Sequence, residues 1–336
     1  MDPVEALKRV AYLLEWQSAE SYKVRAFRKA AATVAALDES ELAGLAAAHR
    51  LKELDGVGET TARVIEEALG GGVPSYVSAL EERLPPPPAG EIGQLRQALR
   101  GDCHSHSDWS DGGSPIREMA EAARAIGHEY LVLTDHSPRL TVAHGLDARR
   151  LVAQLEVVAD VNDEMAPWHL LTGIEVDILD DGSLDQAEEL LAELDIVVAS
   201  VHSKLRMDAA AMTRRMVKAV ENPHVDVLGH CTGRLIVGRG RPQSEFDPER
   251  VFAACAASGT AVEINSRPER RDPPPDLLQL AAEAGCSFTI DTDAHAPGQL
   301  EWLVNGCEQA AAAGIGPDRV MNTLPLEALL AWAGGH

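Results

Sequence analysis

The chain has 336 residues, 45% of them hydrophobic and 4% aromatic, and its 53 acids against 30 lysines and arginines give a formal net charge of −23. Such a charge repels polyanions at long range and argues against strong non-specific binding of DNA. No apolar run approaches about 20 residues and no charged-then-apolar leader opens the chain, so neither membrane insertion nor export is expected.

The length suits two folded units, a small helical domain over residues 1–84 and a barrel-sized domain over residues 99–336. Five scattered cysteines (Cys103, Cys231, Cys255, Cys286 and Cys307) show no paired spacing, which fits reduced thiols in a cytoplasm. In the first unit, Tyr22-Lys-Val-Arg-Ala-Phe-Arg-Lys-Ala-Ala31 puts Lys23, Arg25, Arg28 and Lys29 on one helix, the only dense basic cluster of the chain. Leu54-Asp-Gly-Val-Gly58, followed by Thr60, Thr61, Ala62 and Ile65, has the form of a helix-hairpin-helix. Its turn, Gly56, Val57 and Gly58, presents backbone N–H groups at a helix start, where a DNA phosphate can bind. These seven basic and turn residues are the expected DNA contacts, to ends or gaps. The affinity is expected to be weak, because residues 1–84 carry 14 acids against 10 bases.

The Tyr22–Ala31 stretch also resembles the small amino-terminal domain of polymerase-beta-like enzymes. Val64 stands where those lyases carry their Schiff-base lysine and Thr60 replaces a further lysine, so no 5′-deoxyribose-phosphate lyase activity is expected. Residues 85–98 open on Pro85-Pro-Pro-Pro88 and are expected as a semi-rigid linker. That segment leaves no space for a polymerase catalytic domain between the two units, so polymerase activity is not expected either.

From residue 99 onward, short apolar runs alternate with alanine-rich stretches of helical spacing. Tyr130–Leu133, Leu170–Leu171, Asp195–Val201, Asp226–Gly229, Ala261–Asn265 and Ser287–Asp293 read as strands. Ile116–Ile126, Leu151–Val161, Leu184–Leu194, Met212–Val220, Pro248–Ser258 and Asp276–Gly285 read as helices. Histidines and acids sit at or just after the strands: His104-Ser-His106, Asp111, Asp135-His136, Glu175, His202, His230 and Asp293-Ala-His295. Strand alternation lets His104 and His106 point the same way, as it does Asp293 and His295. Imidazole and carboxylate donors gathered at strand ends are what Zn²⁺ and Mn²⁺ favour, and an α/β barrel collects such residues at one face.

The ordered series HxH, D, TDH, GxE, VHS, LGH and DAH resembles the PHP (polymerase and histidinol phosphatase) family of metal-dependent phosphoesterases over roughly residues 100–336. Ser200-Val-His-Ser203, Leu228-Gly-His-Cys-Thr-Gly-Arg234, Glu263-Ile-Asn265 and Thr292-Asp-Ala-His295 are most similar to the PHP domain of bacterial family X DNA polymerases. The resemblance implies a distorted seven-stranded barrel holding up to three divalent ions, Zn²⁺ or Mn²⁺, with Fe²⁺ a further candidate. It also implies nine ligands: His104, His106, Asp111, His136, Glu175, His202, His230, Asp293 and His295, with Glu175 shared between two ions and Asp135 supporting a ligand. Cys231 replaces a proline of the family and Arg267 a small polar residue.

Such a site activates a water for attack on a phosphate ester, with His136, Asp293 or His295 relaying a proton to the leaving group. Lys204, Arg234, Arg267 and Arg270 follow predicted site strands and are candidate contacts to the substrate phosphate. The expected function is a metal-dependent phosphoesterase, a 3′-5′ exonuclease or DNA 3′-end-processing enzyme in repair. The alternative is a small-molecule phosphatase of the histidinol phosphatase type, which would not require the helical domain.

Overall fold

The computed structural model describes residues 1–335, and the chain divides into two compact units, Met1–Pro87 and Pro88 onward. The first is all helical. Helix α1 (Pro3–Trp16) starts at Asp2, whose side chain accepts from the Val4 and Glu5 N–H groups at 2.8 and 3.1 Å. Glu5 in turn accepts from the Asp2 N–H at 3.3 Å, and Pro3 sits at the helix start, where a missing N–H costs nothing. Leu7, Val10 and Leu14 recur along one face and pack with Phe27, Ala31 and Val34 of α2 (Ser21–Ala35). Helix α3 (Glu39–Ala47), a 3₁₀ turn (Leu51–Glu53), α4 (Glu59–Leu69) and α5 (Ser75–Glu81) follow, and Leu51, Ile65, Val77 and Leu80 complete the core.

The second unit begins with α6 (Gly90–Ala98), which lies within the span expected as a linker. Its Leu95, with Leu99 after it, is buried in the barrel core, so the extended segment ends where apolar burial begins. Seven strands follow, β1 (Gly101–Ser105), β2 (Tyr130–Leu133), β3 (His169–Asp177), β4 (Ile196–Ser200), β5 (Val227–Leu228), β6 (Ala261–Asn265) and β7 (Phe288–Asp291). They pair in chain order, every neighbour parallel. The connections carry α7 (Ile116–Ala125), α8 (Ala148–Met165), α9 (Glu188–Leu191), α10 (Ala209–Val220), α11 (Pro248–Ser258) and α12 (Pro275–Glu283), and α13 (Leu303–Ala312) and α14 (Leu326–Ala333) follow β7. The result is a seven-stranded α/β barrel, nearly closed.

At the seam between β7 and β1 side chains do what a backbone ladder does elsewhere. Asp291 accepts from the Cys103 N–H at 2.8 Å, Asp102 accepts from the Thr292 N–H at 3.2 Å, and the Asn322 amide donates to the carbonyls of Gly101 and Ile290 at 3.0 and 2.7 Å. Backbone groups left unpaired inside a protein are costly, so these polar side chains are what makes the open seam tolerable.

Two expectations are corrected. The helix expected over Leu184–Leu194 shrinks to Glu188–Leu191, because Leu184 bridges Ile178 and the Asp185 N–H bonds to the Asp177 carbonyl, holding this stretch against the end of β3. Glu175 lies inside β3 rather than after it, since that strand runs through to Asp177. All five cysteines are buried free thiols, and no described helix is long and apolar enough to cross a membrane.

Candidate metal centre

Glu175 is buried at the middle of a ring of imidazoles. Its Oε1 lies 2.8 Å from His230 Nε2 and 3.1 Å from His202 Nε2; its Oε2 lies 2.8 Å from His136 Nδ1, 3.4 Å from His104 Nε2 and 3.6 Å from His106 Nε2. Asp111 Oδ1 joins the outer side, 3.4 Å from His136 Nε2 and 3.3 Å from His295 Nε2. Asp293 Oδ1 is 3.4 Å from His106 Nε2. The fold thus brings all nine expected positions together, from six of the seven strands and the loops after them, β6 contributing none of the nine.

Strand alternation explains only part of this. His104 is on β1, but His106 follows it, and Asp293 and His295 lie beyond the end of β7. There a left-handed turn at Asp293 (φ 54°) directs the chain back, with His295 Nδ1 2.8 Å from the Asp293 carbonyl. His230 is also left-handed (φ 21°), and it follows Gly229, where a Cβ would come within 2.3 Å of the Ser200 hydroxyl. Such backbone conformations in residues other than glycine concentrate at functional sites.

The arrangement suits cations. Buried ring nitrogens of His104, His106, His136, His202 and His230, with Glu175 Oε2, have no hydrogen-bond partner, although buried polar atoms ordinarily do. Three overlapping groups have donor atoms within 4.8 Å of one another: His106, Asp111, His136 and His295; His104, His106 and Glu175; His136, Glu175 and His202. These residues can hold metal ions. Burial pushes the Glu175 carboxyl up, but His202, His136 and His104 outweigh it and hold the group well below the usual carboxylate range. Burial lowers His136, yet Glu175 and Asp111 bring it to about 10, while His106, buried beside His295 and His136, is held well below the ordinary imidazole value. The carboxylates demand positive charge, and divalent ions supply it while leaving imidazoles neutral and available as ligands.

Two further acids orient the ring. Glu263, fully buried on β6, holds His104 Nδ1 at 2.6 Å and accepts from the His230 N–H. Asp177 lies 3.3 Å from His202 Nδ1 and accepts its N–H at 3.1 Å. Such carboxylate–histidine pairs fix the ring and the tautomer of a metal-binding imidazole. The sequence reading passed over both roles, although an acid inside an apolar strand, as Glu263 is, signals one. Asp135 supports no ligand histidine directly. It accepts from the Ser107 N–H and hydroxyl, the Ser110 hydroxyl and the Gln154 amide, so it fixes the loop that carries Asp111.

The centre opens into a cleft of about 280 Å³, lined by Asp111, His136, Glu175, His202, Asp293, His295, Arg267, Arg270, Glu269, Leu140 and Leu235. Of the four cations expected near a substrate phosphate, Arg267 and Arg270 stand here, at 2.9 Å from the Asp293 carbonyl and 3.2 Å from its carboxylate. Arg234 instead donates to the carbonyls of Arg270 and Arg271, and exposed Lys204 pairs with Asp180. Both stand outside the cleft lining because backbone carbonyls and a local acid already engage them.

In the helical unit Gly58 caps α4 without a side-chain acceptor, and its own N–H donates to the Thr61 hydroxyl at 2.8 Å. Gly56 takes φ 76°, a value glycine adopts freely, and Val57 is buried. The basic cluster is paired within the unit: Lys23 to Glu20 at 3.1 Å, Arg28 to Glu15 at 2.6 Å and Lys29 to Asp55 at 2.9 Å. Arg25 lies 3.4 Å from the Ser21 hydroxyl.

Comparison with known proteins agrees with both units. A helix-hairpin-helix domain model matches residues 1–73 and a PHP domain model residues 102–267; neither is a polymerase catalytic domain. The DNA polymerase/3′-5′ exonuclease PolX of Bacillus subtilis (strain 168) is 40% identical over 237 residues, 70% of this chain, and the match spans 40% of that protein's length. A probable phosphatase of Thermoanaerobacter sp. (strain X514) is 30% identical over 66% of this chain and 89% of its own. The solved histidinol phosphate phosphatase of Lactococcus lactis covers 71% of this chain and 95% of its own at 20% identity and a TM-score of 0.45, a likeness too distant to bear on function. With a PHP domain behind a helix-hairpin-helix domain, the chain belongs to the PHP family and is a phosphoester hydrolase.

Proposed function

We propose that this protein is a metal-dependent phosphodiesterase that trims the 3′ ends of DNA, a 3′-5′ exonuclease or end-cleaning enzyme of repair. The observation that carries the reading is the join of a buried imidazole–carboxylate centre to a cleft whose cations, Arg267 and Arg270, flank its open side. The similarity to a polymerase with a 3′-5′ exonuclease in its name supports it. His104, His106, Asp111, His136, Glu175, His202, His230, Asp293 and His295 would hold up to three ions, Glu175 bridging two of them. Bound Zn²⁺ or Mn²⁺ supplies an activated water and neutralises charge on the phosphate.

The protein's own groups do the rest. Glu263 and Asp177 hold the rings of His104 and His202, and Asp135 holds the loop bearing Asp111. Arg270 and Arg267 neutralise non-bridging oxygens and fix the ester in line. Water oxygen bonds to phosphorus as the bond to the 3′ oxygen breaks, and that oxygen takes a proton at the mouth of the cleft. His136, Asp293 and His295 line the cleft there and are the candidates to deliver it, His295 being the most exposed of the three. In the helical unit the first-turn N–H groups of α4, beyond the Gly56-Val57-Gly58 turn, offer a phosphate contact.

Probable phosphatases matched over nearly their whole length favour a second reading, a monoesterase of small phosphates. The Mn²⁺- or Zn²⁺-loaded full chain, given 3′-labelled gapped DNA and histidinol phosphate side by side, separates the two. Stepwise release of mononucleotides with weak turnover of the monoester is expected. Rapid monoester hydrolysis with intact DNA would overturn the nuclease reading.

A further inference from the structure

The segment after β5 builds a small β-hairpin on the rim of the cleft. Leu235 and Arg241 pair across it, their N–H and carbonyl groups exchanging bonds of 2.9 and 2.8 Å, and the Gly240 N–H closes the tip on the Val237 carbonyl at 3.1 Å. Gly238 and Gly240 take φ 68° and 64°, which a tight reversal requires. The hairpin does not hang free. Leu235 forms part of the cleft wall, and the Ile236 N–H donates at 2.8 Å to the carbonyl of Glu269, in the loop that carries Arg267 and Arg270.

Its tip is unusual in composition. Ile236 and Val237 are 52% and 57% exposed, and only seven large hydrophobic residues of the described chain are exposed at all. A third, Val142 at 86%, lies in the loop after β2, whose Leu140 also lines the cleft. In a barrel ordered β1 to β7, the strands β2 and β5 stand across the mouth from one another, with two strands between them on one side and three on the other. Two exposed apolar tips therefore stand on loops that each supply a residue, Leu140 and Leu235, to the wall of the same cleft. Residues 231–244 contain Arg234, Arg239 and Arg241 and no acid, in a chain whose acids outnumber its bases 53 to 30. Arg239 at the tip and Arg139 at the start of the facing loop are exposed.

We infer that the Leu235–Arg241 hairpin and the Leu140–Val142 tip form a subsite for the terminal nucleotides of a single-stranded 3′ end, with the base held between apolar side chains and the next phosphate met by Arg239. Aliphatic wedges at nucleic-acid surfaces pack on base faces in this way, and arginine supplies the phosphate contact. The cleft, at about 280 Å³, is at the small end for a ligand site, suited to one nucleotide, with the strand continuing over the rim. A small cationic monoester gains nothing from an apolar tip and is opposed by the arginines. The inference rests on the nuclease reading and locates its substrate contacts in the barrel itself.

The test uses the Mn²⁺-loaded full chain, a 3′-labelled single-stranded DNA oligonucleotide and the small diester bis(4-nitrophenyl) phosphate. Hydrolysis of both and oligonucleotide binding by fluorescence anisotropy are followed for the parent and the double variant I236S/V237S, with melting temperature as the check on folding. The expected result is a parent KM for the oligonucleotide at least tenfold below that for the diester, and a loss of about tenfold in that preference, with matching weaker binding, in the variant. R239A is expected to flatten the salt dependence of oligonucleotide binding. Cleavage and binding of the oligonucleotide that are indifferent to I236S/V237S would overturn the subsite and leave the nuclease reading standing. Hairpin-dependent binding without cleavage would uphold the subsite and overturn the nuclease reading. A parent that neither binds nor cleaves the oligonucleotide would end both.

Discussion

In the helical unit Arg28 lies 2.6 Å from Glu15 and Lys29 2.9 Å from Asp55, whereas in the barrel five histidines crowd one carboxylate and each keeps at least one buried ring nitrogen without a hydrogen-bond partner. The first region spends its charges internally, on pairs that hold helices together; the second keeps its donors uncommitted and aims them at a common point. A cation cluster visible in sequence is therefore a weaker sign of a binding surface than donors that the fold leaves unsatisfied. A buried polar group without a partner costs stability, so its persistence points to a ligand.

The strongest attack on this contrast is Glu175→Ala, which removes the carboxylate at the middle of the ring. We expect metal content, measured by atomic emission, and hydrolysis to fall together, the rate by on the order of 10³ or more. Normal metal content with retained activity would refute the shared-ligand assignment. Glu263→Gln keeps the ring but weakens the acceptor that orients His104. A loss of about 10- to 100-fold in metal affinity is expected, recovered in activity by excess Mn²⁺. An unchanged metal titration would show that Glu263 serves the fold alone.

Arg28→Ala tests the other side of the comparison. Because Arg28 is 22% exposed and Glu15 is 2% exposed, the variant should lose about 2 kcal/mol in the unfolding of the helical unit, while oligonucleotide affinity changes less than about twofold. A large fall in affinity without destabilisation would identify Arg28 as a DNA contact rather than a structural one. Asp226→Asn has the smallest expected effect. Burial pushes this carboxyl up to about 7 against the opposing hydrogen bond from the Val197 N–H, so the unfolded chain ionises first, from pH 3.8 upward. Stability from this group is present below that pH and is lost as pH rises through 7. Asparagine should thus raise the barrel's stability by about 1–2 kcal/mol at pH 8 and change little at pH 4, read from melting curves. Equal effects at both pH values would show that the carboxyl is not the cause.

Much of the centre was legible because the chemistry is local. Glu175, His202 and His230 each follow or end an apolar run, and that run is itself the signal for a strand entering the barrel; His104-Ser-His106 was legible by its motif alone, since β1 (Gly101–Ser105) has no such run. Glu263 and Asp177 were harder to place, because an acid on a strand reads the same whether it supports a ligand, closes a seam as Asp291 does, or binds directly. Their roles depend on which imidazole lies within 3.3 Å, a distance set by strands far apart in the chain. Arg234 and Lys204 show the converse. Their positions near site strands suggested substrate contact, but carbonyls of the next loop and Asp180 take them instead.

By itself the sequence determined the two kinds of unit, the parallel alternation of strand and helix and the residue types of the centre, since periodicity and short motifs depend on neighbours along the chain. Tertiary structure alone decided which cations are consumed in pairs, which acids orient histidines, how the open seam is bridged and where the apolar hairpin stands. Those outcomes depend on distances between residues remote in sequence, and such distances exist only once seven strands have closed around a common axis.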